Sequence, residues 1–301
     1  MNSIIAAITW DLDPIIFELG KLQIRYYGLL WGIGIWVAYS VCKKLFLNEK
    51  EDQKLLDPLL FACMIGGILG ARLGHVIFYQ WELFGQDILS VFLPFHFFQP
   101  NPEAIGLSDA ILESRDIPER IFKFEFSGFA GLASHGGAIG VILALIWYKF
   151  KKSSHSFLWI LDKVAYPIAI TAFFIRIANF MNSEIVGNKT KSDFGVIFSQ
   201  IDNEARHPSQ LYEAFAYLLI FILLRRMYWK GKAYLLEGKL IGTLFVTMFI
   251  ARFIIEFSKN PQGGFEKLGF MEILSTGQWL SIPFIIIGGF LLFRIRNQKA
   301  N

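Results

Sequence analysis

Seven stretches of mostly apolar residues recur along the chain, near 26–47, 57–79, 131–150, 158–181, 209–228, 237–257 and 276–295. A hydrocarbon layer about 30 Å thick needs roughly 20 such residues per crossing helix, so each stretch has spanning length. Runs such as "LYEAFAYLLIFILL" are unbroken, whereas the strands of a closed β-barrel would alternate over about ten residues. With 54% hydrophobic and only 18% charged residues, and a mean hydropathy of +0.46, the chain is too oily for an ordinary soluble domain. The expected fold is all-α: a polytopic membrane helix bundle of about seven transmembrane helices, forming one integral-membrane domain over 1–301.

Orientation follows from the basic residues beside short loops. Lys43, Lys44, Lys50 and Lys54 follow the first stretch; Lys149, Lys151 and Lys152 the third; Arg225, Arg226, Lys230, Lys232 and Lys239 the fifth; Arg294, Arg296 and Lys299 the last. Alternating helices put all of them on one side, which should be cytoplasmic, with the N-terminus outside and the C-terminus inside. That bias accounts for the basic balance, and no motif points to nucleic acid. The opening "MNSIIAAITWDLDPIIF" lacks a basic leader and carries Asp11 and Asp13, so no cleaved signal is expected. Cys42 and Cys63 fall toward the cytoplasmic side, where neither a disulfide nor a metal site is expected. Outward-facing segments fall near 80–130, 183–208 and 258–277. The first carries "QPNPEAIGLSDAILESRDIPER", a polar loop with an expected short helical part. No internal repeat of the transporter kind is visible.

Within the second stretch, Gly66, Gly70 and Gly74 recur every four residues, which lets two helix backbones approach closely. Arg72, His75 and Tyr79 form a polar stripe, and Arg72 lies deep enough to need a partner. The third stretch opens with "SHGGAIG", where His135 could cap the helix, bind a ligand or hydrogen-bond a neighbour, and Gly136 and Gly140 repeat the small-residue spacing.

The segment "AFFIRIANFMNSEIVG", 172–187, ends a spanning helix with Arg176, Asn179, Asn182 and Glu184. A charged side chain inside a span costs roughly 2.5 to 3.5 kcal/mol on insertion scales, so Arg176 needs an anion, a carbonyl or a wet cavity. Three residues apart, Arg176 and Asn179 share a face, a combination suited to phosphate; snorkelling to outer headgroups is the alternative. In "ARFIIEFSKN", Arg252 and Glu256 stand at i and i+4, the spacing of an intrahelical ion pair. Together with "RHPSQLYE" at 206–213, these form an outward-facing polar set that is costly to keep without a polar occupant. No zinc motif, Walker loop, nucleophile elbow or outer cysteine accompanies it, so any nucleophile should come from a second substrate.

These residues resemble the prolipoprotein diacylglyceryl transferases of bacterial inner membranes. The resemblance runs from "DPIIFELGKLQIRYYGLLWGIG" through "GARLGHVIFY", "SHGGAIG", "RIANFMNSEIVG", "RHPSQLYEA" and "RFIIEF" to "GQWLSIP". Only the outer insertion near 99–127 is unlike the family. It implies a cofactor-independent transferase, with its active site on the periplasmic side, that moves the diacylglyceryl group of phosphatidylglycerol to the lipobox cysteine of a preprolipoprotein signal peptide. It further implies a site made of Tyr27, His135, Arg176, Asn179, Glu184, Gly187, Arg252 and Glu256. Arg176, Arg252, Asn179, Asn182 and Arg72 are then the candidates for the lipid phosphate and headgroup, His135 the candidate base, and Glu184 and Glu256 the carboxylates that fix the arginines. Ile175 and Ala178 stand where the family usually has glycine, Ser183 and Asn188 where it has glycine and arginine, and Met248 where it has tyrosine. An outward-gated anion transporter using the same arginines is the competing reading, and would extend polar groups toward the cytoplasm.

Overall fold

The computed structural model describes residues 8–20, 22–93, 95–100, 120–126, 131, 133–259 and 273–300. Helix accounts for 70% of the structure. Five helical segments are long and apolar enough to cross a membrane: Tyr26–Glu49, Gln53–Tyr79, Phe157–Met181, Lys239–Ser258 and Thr276–Arg296. They correspond to α1 (Tyr26–Asn48), α2 (Leu56–Tyr79), α6 (Phe157–Met181), α8 (Lys239–Ile255) and α9 (Thr276–Ala300). The short helices α3 (Leu83–Gln86) and α4 (Ile88–Phe92) follow α2. The two remaining stretches are also helical, as α5 (Ser134–Lys151) and α7 (Ser209–Trp229), but polar ends dilute their apolar runs. Large apolar side chains such as Trp36, Phe150 and Phe215 face outward, an arrangement suited to lipid and hazardous in water.

The predominantly helical membrane fold agrees with the expectation, and three small sheets supplement the helices. Strand β1 (Ile8–Trp10) pairs in parallel with β6 (Val196–Phe198), which pairs antiparallel with β7 (Ala205–Arg206). A hairpin joins β2 (Ile15–Leu19) to β3 (Leu22–Arg25), with Gly20 at φ +61° in the turn, where a side chain would be strained. Strands β4 (Phe95–Pro100) and β5 (Arg120–Phe126) pair antiparallel at the margins of the outer insertion. The interior of that insertion, with its expected short helix, lies outside the described residues, as does 260–272 of the third outward segment.

The chain forms two compact units. One comprises residues 52–155, the other 1–51 with 156–301. In the former, α2 packs on α5 through the expected glycines. A Cβ at Gly70 would lie 2.5 Å from the Gly136 carbonyl oxygen, and one at Gly74 2.7 Å from Gly136 Cα. Lipid offers no hydrophobic incentive for helices to associate, so close backbone approach supplies the dispersion contacts instead. Arg72 is buried here, and its Nη2 donates to the Ser90 carbonyl at the 2.8 Å expected of a strong bond.

The larger unit is built on α1, α6, α7, α8 and α9. Its core includes Leu45, Ala165, Tyr166, Ala169, Tyr217, Leu224, Tyr228, Leu240 and Leu244. Met248, replacing the family tyrosine, packs against this cluster as an apolar filler. Pro167 interrupts the backbone bonding of α6, and the Thr171 hydroxyl donates to the Pro167 carbonyl at 3.1 Å.

Candidate active site

The end of α6 determines where its polar groups point. Ser183 N–H bonds the Phe180 carbonyl at 3.0 Å and Glu184 N–H the Asn179 carbonyl at 2.9 Å, the paired closure of a Schellman motif. This closure needs a left-handed residue just past the helix, and Ser183 supplies it at φ +54°. That geometry explains why glycine is the family's usual choice there. Ile185 also sits at φ +55°, an uncommon strain for a β-branched residue. The reversed chain folds Glu184 back on the helix end. Its Oε2 accepts from Asn179 Nδ2 at 3.1 Å and its Oε1 from Asn182 Nδ2 at 2.9 Å. Asn182 Oδ1 is buried and has no hydrogen-bond partner among the described residues.

Arg176 is mostly buried, with 14% of its side chain exposed, and its Nε lies 2.9 Å from Glu213 Oε2. Its Nη1 donates to Asn179 Oδ1 at 3.2 Å, and it interacts electrostatically with Tyr217. Glu213, on α7, has no exposed side-chain surface; its other oxygen lies 3.0 Å from Lys259 Nζ. Tyr217, one turn further along α7, donates to Glu213 Oε1 at 3.3 Å. Arg252, on α8, interacts electrostatically with both Glu213 and Tyr217. Arg176 and Lys259 therefore pair with one buried carboxylate, and Arg252 lies within electrostatic range of it. Tyr27, in the first turn of α1, interacts electrostatically with Arg176 and Glu184.

The carboxylates are distributed differently from the expectation. Arg176 pairs with Glu213, and Glu184 reaches it only through Asn179. Glu256 forms an ion pair with Lys259 at 3.3 Å, and Arg252 has no ion pair among the described residues. The i, i+4 spacing allowed an Arg252–Glu256 pair, but one turn of 3-10 helix begins at Glu256 and Lys259 lies closer. Glu256 also needs Gly277: a Cβ there would lie 2.7 Å from Glu256 Oε2. From the sequence, Glu213 stands only as the end of the polar segment 206–213 and Lys259 only as part of "ARFIIEFSKN", with no role of its own for either. A carboxylate within an apolar run was the available signal, since such groups require a partner as much as an arginine does.

Gly187 is where three backbone segments meet. Its N–H bonds the His207 carbonyl at 2.9 Å, and it bridges to Lys259. A Cβ would lie 2.5 Å from the Ser258 carbonyl oxygen and 2.6 Å from that of His207, so only glycine fits. Arg206 fixes the same point, Nη1 donating to the Gly187 carbonyl at 3.3 Å while Nη2 lies 2.5 Å from Asp202 Oδ2. The hydrogen bond from Arg206 holds the Asp202 carboxyl below its usual range. Asn188, replacing a family arginine, donates to the Phe257 carbonyl at 3.4 Å. His135 and Arg72 belong to the other unit. There His135 stands in the first turn of α5, its ring edge-on to Phe78 at 5.1 Å between centroids.

The fold is that of a polytopic helical membrane protein, with two basic side chains, Arg176 and Lys259, paired to one buried carboxylate. The family model described as prolipoprotein diacylglyceryl transferase matches residues 14–294. The chain belongs to that family. It is 37% identical over 300 residues to a Bacteroides fragilis protein named phosphatidylglycerol–prolipoprotein diacylglyceryl transferase, covering 100% of this chain and 99% of that one. Proteins of the same name from Tolumonas auensis and Porphyromonas gingivalis are 36% and 35% identical, covering 97% and 96% of this chain and 98% and 95% of theirs.

Proposed function

We propose that the chain transfers the diacylglyceryl group of phosphatidylglycerol to the lipobox cysteine of preprolipoproteins, the first step of lipoprotein maturation. Family membership and the names of its relatives support the reaction. The observation that carries the mechanism is the Arg176–Glu213 ion pair, with Arg252 in electrostatic range of the same carboxylate. The peptide sulfur attacks the glycerol carbon that bears the phosphate; a carbon–sulfur bond forms as the carbon–oxygen bond breaks, and glycerol phosphate leaves with the electron pair. Arg176 and Arg252 bind the phosphate oxygens and offset the charge that grows on them. Glu213 holds Arg176 in place without itself touching substrate. Asn182 Oδ1, left open while its amide donates to Glu184, accepts from a headgroup hydroxyl, and Asn179 and Tyr27 complete the cradle. A free thiol has a pKa of about 8.5, so a base or an electropositive pocket is useful near neutrality. Gly187 and Glu256 serve by shaping the backbone and holding Lys259.

The seven helices alternate across the bacterial inner membrane, with the N-terminus periplasmic, the C-terminus cytoplasmic and the site toward the periplasm. The basic residues in and just after the last turns of α1, α5, α7 and α9 support this orientation. Purified protein incubated with phosphatidylglycerol and a lipobox peptide should add the diacylglyceryl mass to the peptide, and none when serine replaces the peptide cysteine. Transfer to the serine peptide, or no transfer to the cysteine peptide, would refute the assignment.

A further inference from the structure

The first turn of α8 has no capping side chain of its own: its N-cap is Gly238, at φ +88°. A helix start leaves backbone N–H groups unpaired, which is costly away from water. Here they are satisfied from another helix. Asp162 Oδ2 accepts from Gly238 N–H and Oδ1 from Ile241 N–H, both at 2.8 Å. Asp162 is buried near the start of α6, and its charge also suits the positive end of the α8 dipole.

The clamp bears on the site through distance along the helices. Arg176 follows Asp162 by 14 residues, and Arg252 follows Gly238 by 14. At 1.5 Å per residue both lie about 21 Å beyond the clamp. Both side chains act electrostatically on Glu213 and Tyr217, so the two helices run the same way from their shared tether. A slip of one helix along the other by a single residue would separate the guanidinium groups by about 1.5 Å, enough to spoil a joint grip on one phosphate.

We propose that Asp162 is a positioning residue that fixes the register of α6 and α8, and with it the joint placement of Arg176 and Arg252. The proposal rests on the transferase reading for its effect on turnover, but the register itself can be measured independently. Asp162→Asn keeps the size and loses one acceptor, while Asp162→Glu keeps both acceptors and displaces them by a methylene. Tyr228→Phe serves as control: it removes a buried hydroxyl that donates to Glu49 Oε1 at 2.7 Å and leaves both Asp162 hydrogen bonds to the start of α8 in place.

Turnover per folded molecule at saturating lipid should fall about tenfold or more in Asp162→Asn and by less in Asp162→Glu, with the peptide KM unchanged. Tyr228→Phe should stay within about twofold of wild type. Nitroxides on cysteines replacing the outward-facing Ile168 and Ile254, with Cys42 and Cys63 changed to serine, report helix register without turnover. Their distance distribution should be narrow in wild type and Tyr228→Phe and shifted or broadened in both Asp162 variants. An unchanged distribution in the Asp162 variants overturns the proposal, as does an equal loss of turnover in Tyr228→Phe. Should Asp162→Asn fail to fold, Asp162→Glu decides by the same criteria. A wild type that makes no product while the Asp162 variants still alter the spacing would defeat the transferase reading and leave the register lock standing.

Discussion

Glu213 carries more of the site than any residue singled out from the sequence. It is fully buried and holds Arg176 and Lys259 with separate oxygens, so its removal leaves two cations without their shared partner. Breaking a buried pair by removing one member costs about 3 to 5 kcal/mol, so Glu213→Gln should lower the unfolding midpoint in detergent and abolish most turnover. A variant with wild-type melting and activity would contradict the network. Ser183 makes an opposite prediction. A non-glycine residue in the left-handed region costs about 1 kcal/mol, so Ser183→Gly should stabilise the protein by roughly that amount and leave transfer intact. Arg176 and Arg252 were legible because cations are conspicuous in apolar runs. Glu213 was not, because its partner Arg176 lies on another helix and local spacing instead offered Glu256 as the carboxylate beside an arginine.

At the scale of elements, apolar run length revealed the helices, and glycine periodicity revealed the α2–α5 contact. Both are repeating patterns that survive without knowledge of neighbours. The strands escaped because β1, β6 and β7 are two or three residues long, too short for alternation to show, and β1 finds β6 only across the chain. The glycine contact predicts that Gly136→Leu, which puts a branched side chain against Gly74 Cα, will prevent α2 and α5 from packing. Loss of the folded species on size-exclusion chromatography is the expected readout. In the loop before α7, the Asp202–Arg206 pair predicts a pH effect. Because the folded state depresses the Asp202 pKa, its stabilisation is full above the unfolded value near pH 4 and is lost as pH falls through the lower folded value. Asp202→Asn should therefore lose less stability than wild type on acidification over that window, as thermal melts would show.

For the whole molecule, a helical membrane scaffold gathers polar residues of α1, α6, α7 and α8 around Arg176 and Glu213. The central claim is that Arg176 and Arg252 act on a single phosphate. A double-mutant cycle on the rate of diacylglyceryl transfer tests it most directly, using Arg176→Lys, Arg252→Lys and the double variant so that charge opposite Glu213 is kept. Each single change removes a planar fork and should cost about 30-fold or more, near 2 kcal/mol. Groups acting as a unit are not additive, so the double variant should lose far less than the product of the single losses. Losses that simply multiply would show the two arginines working independently and contradict the account.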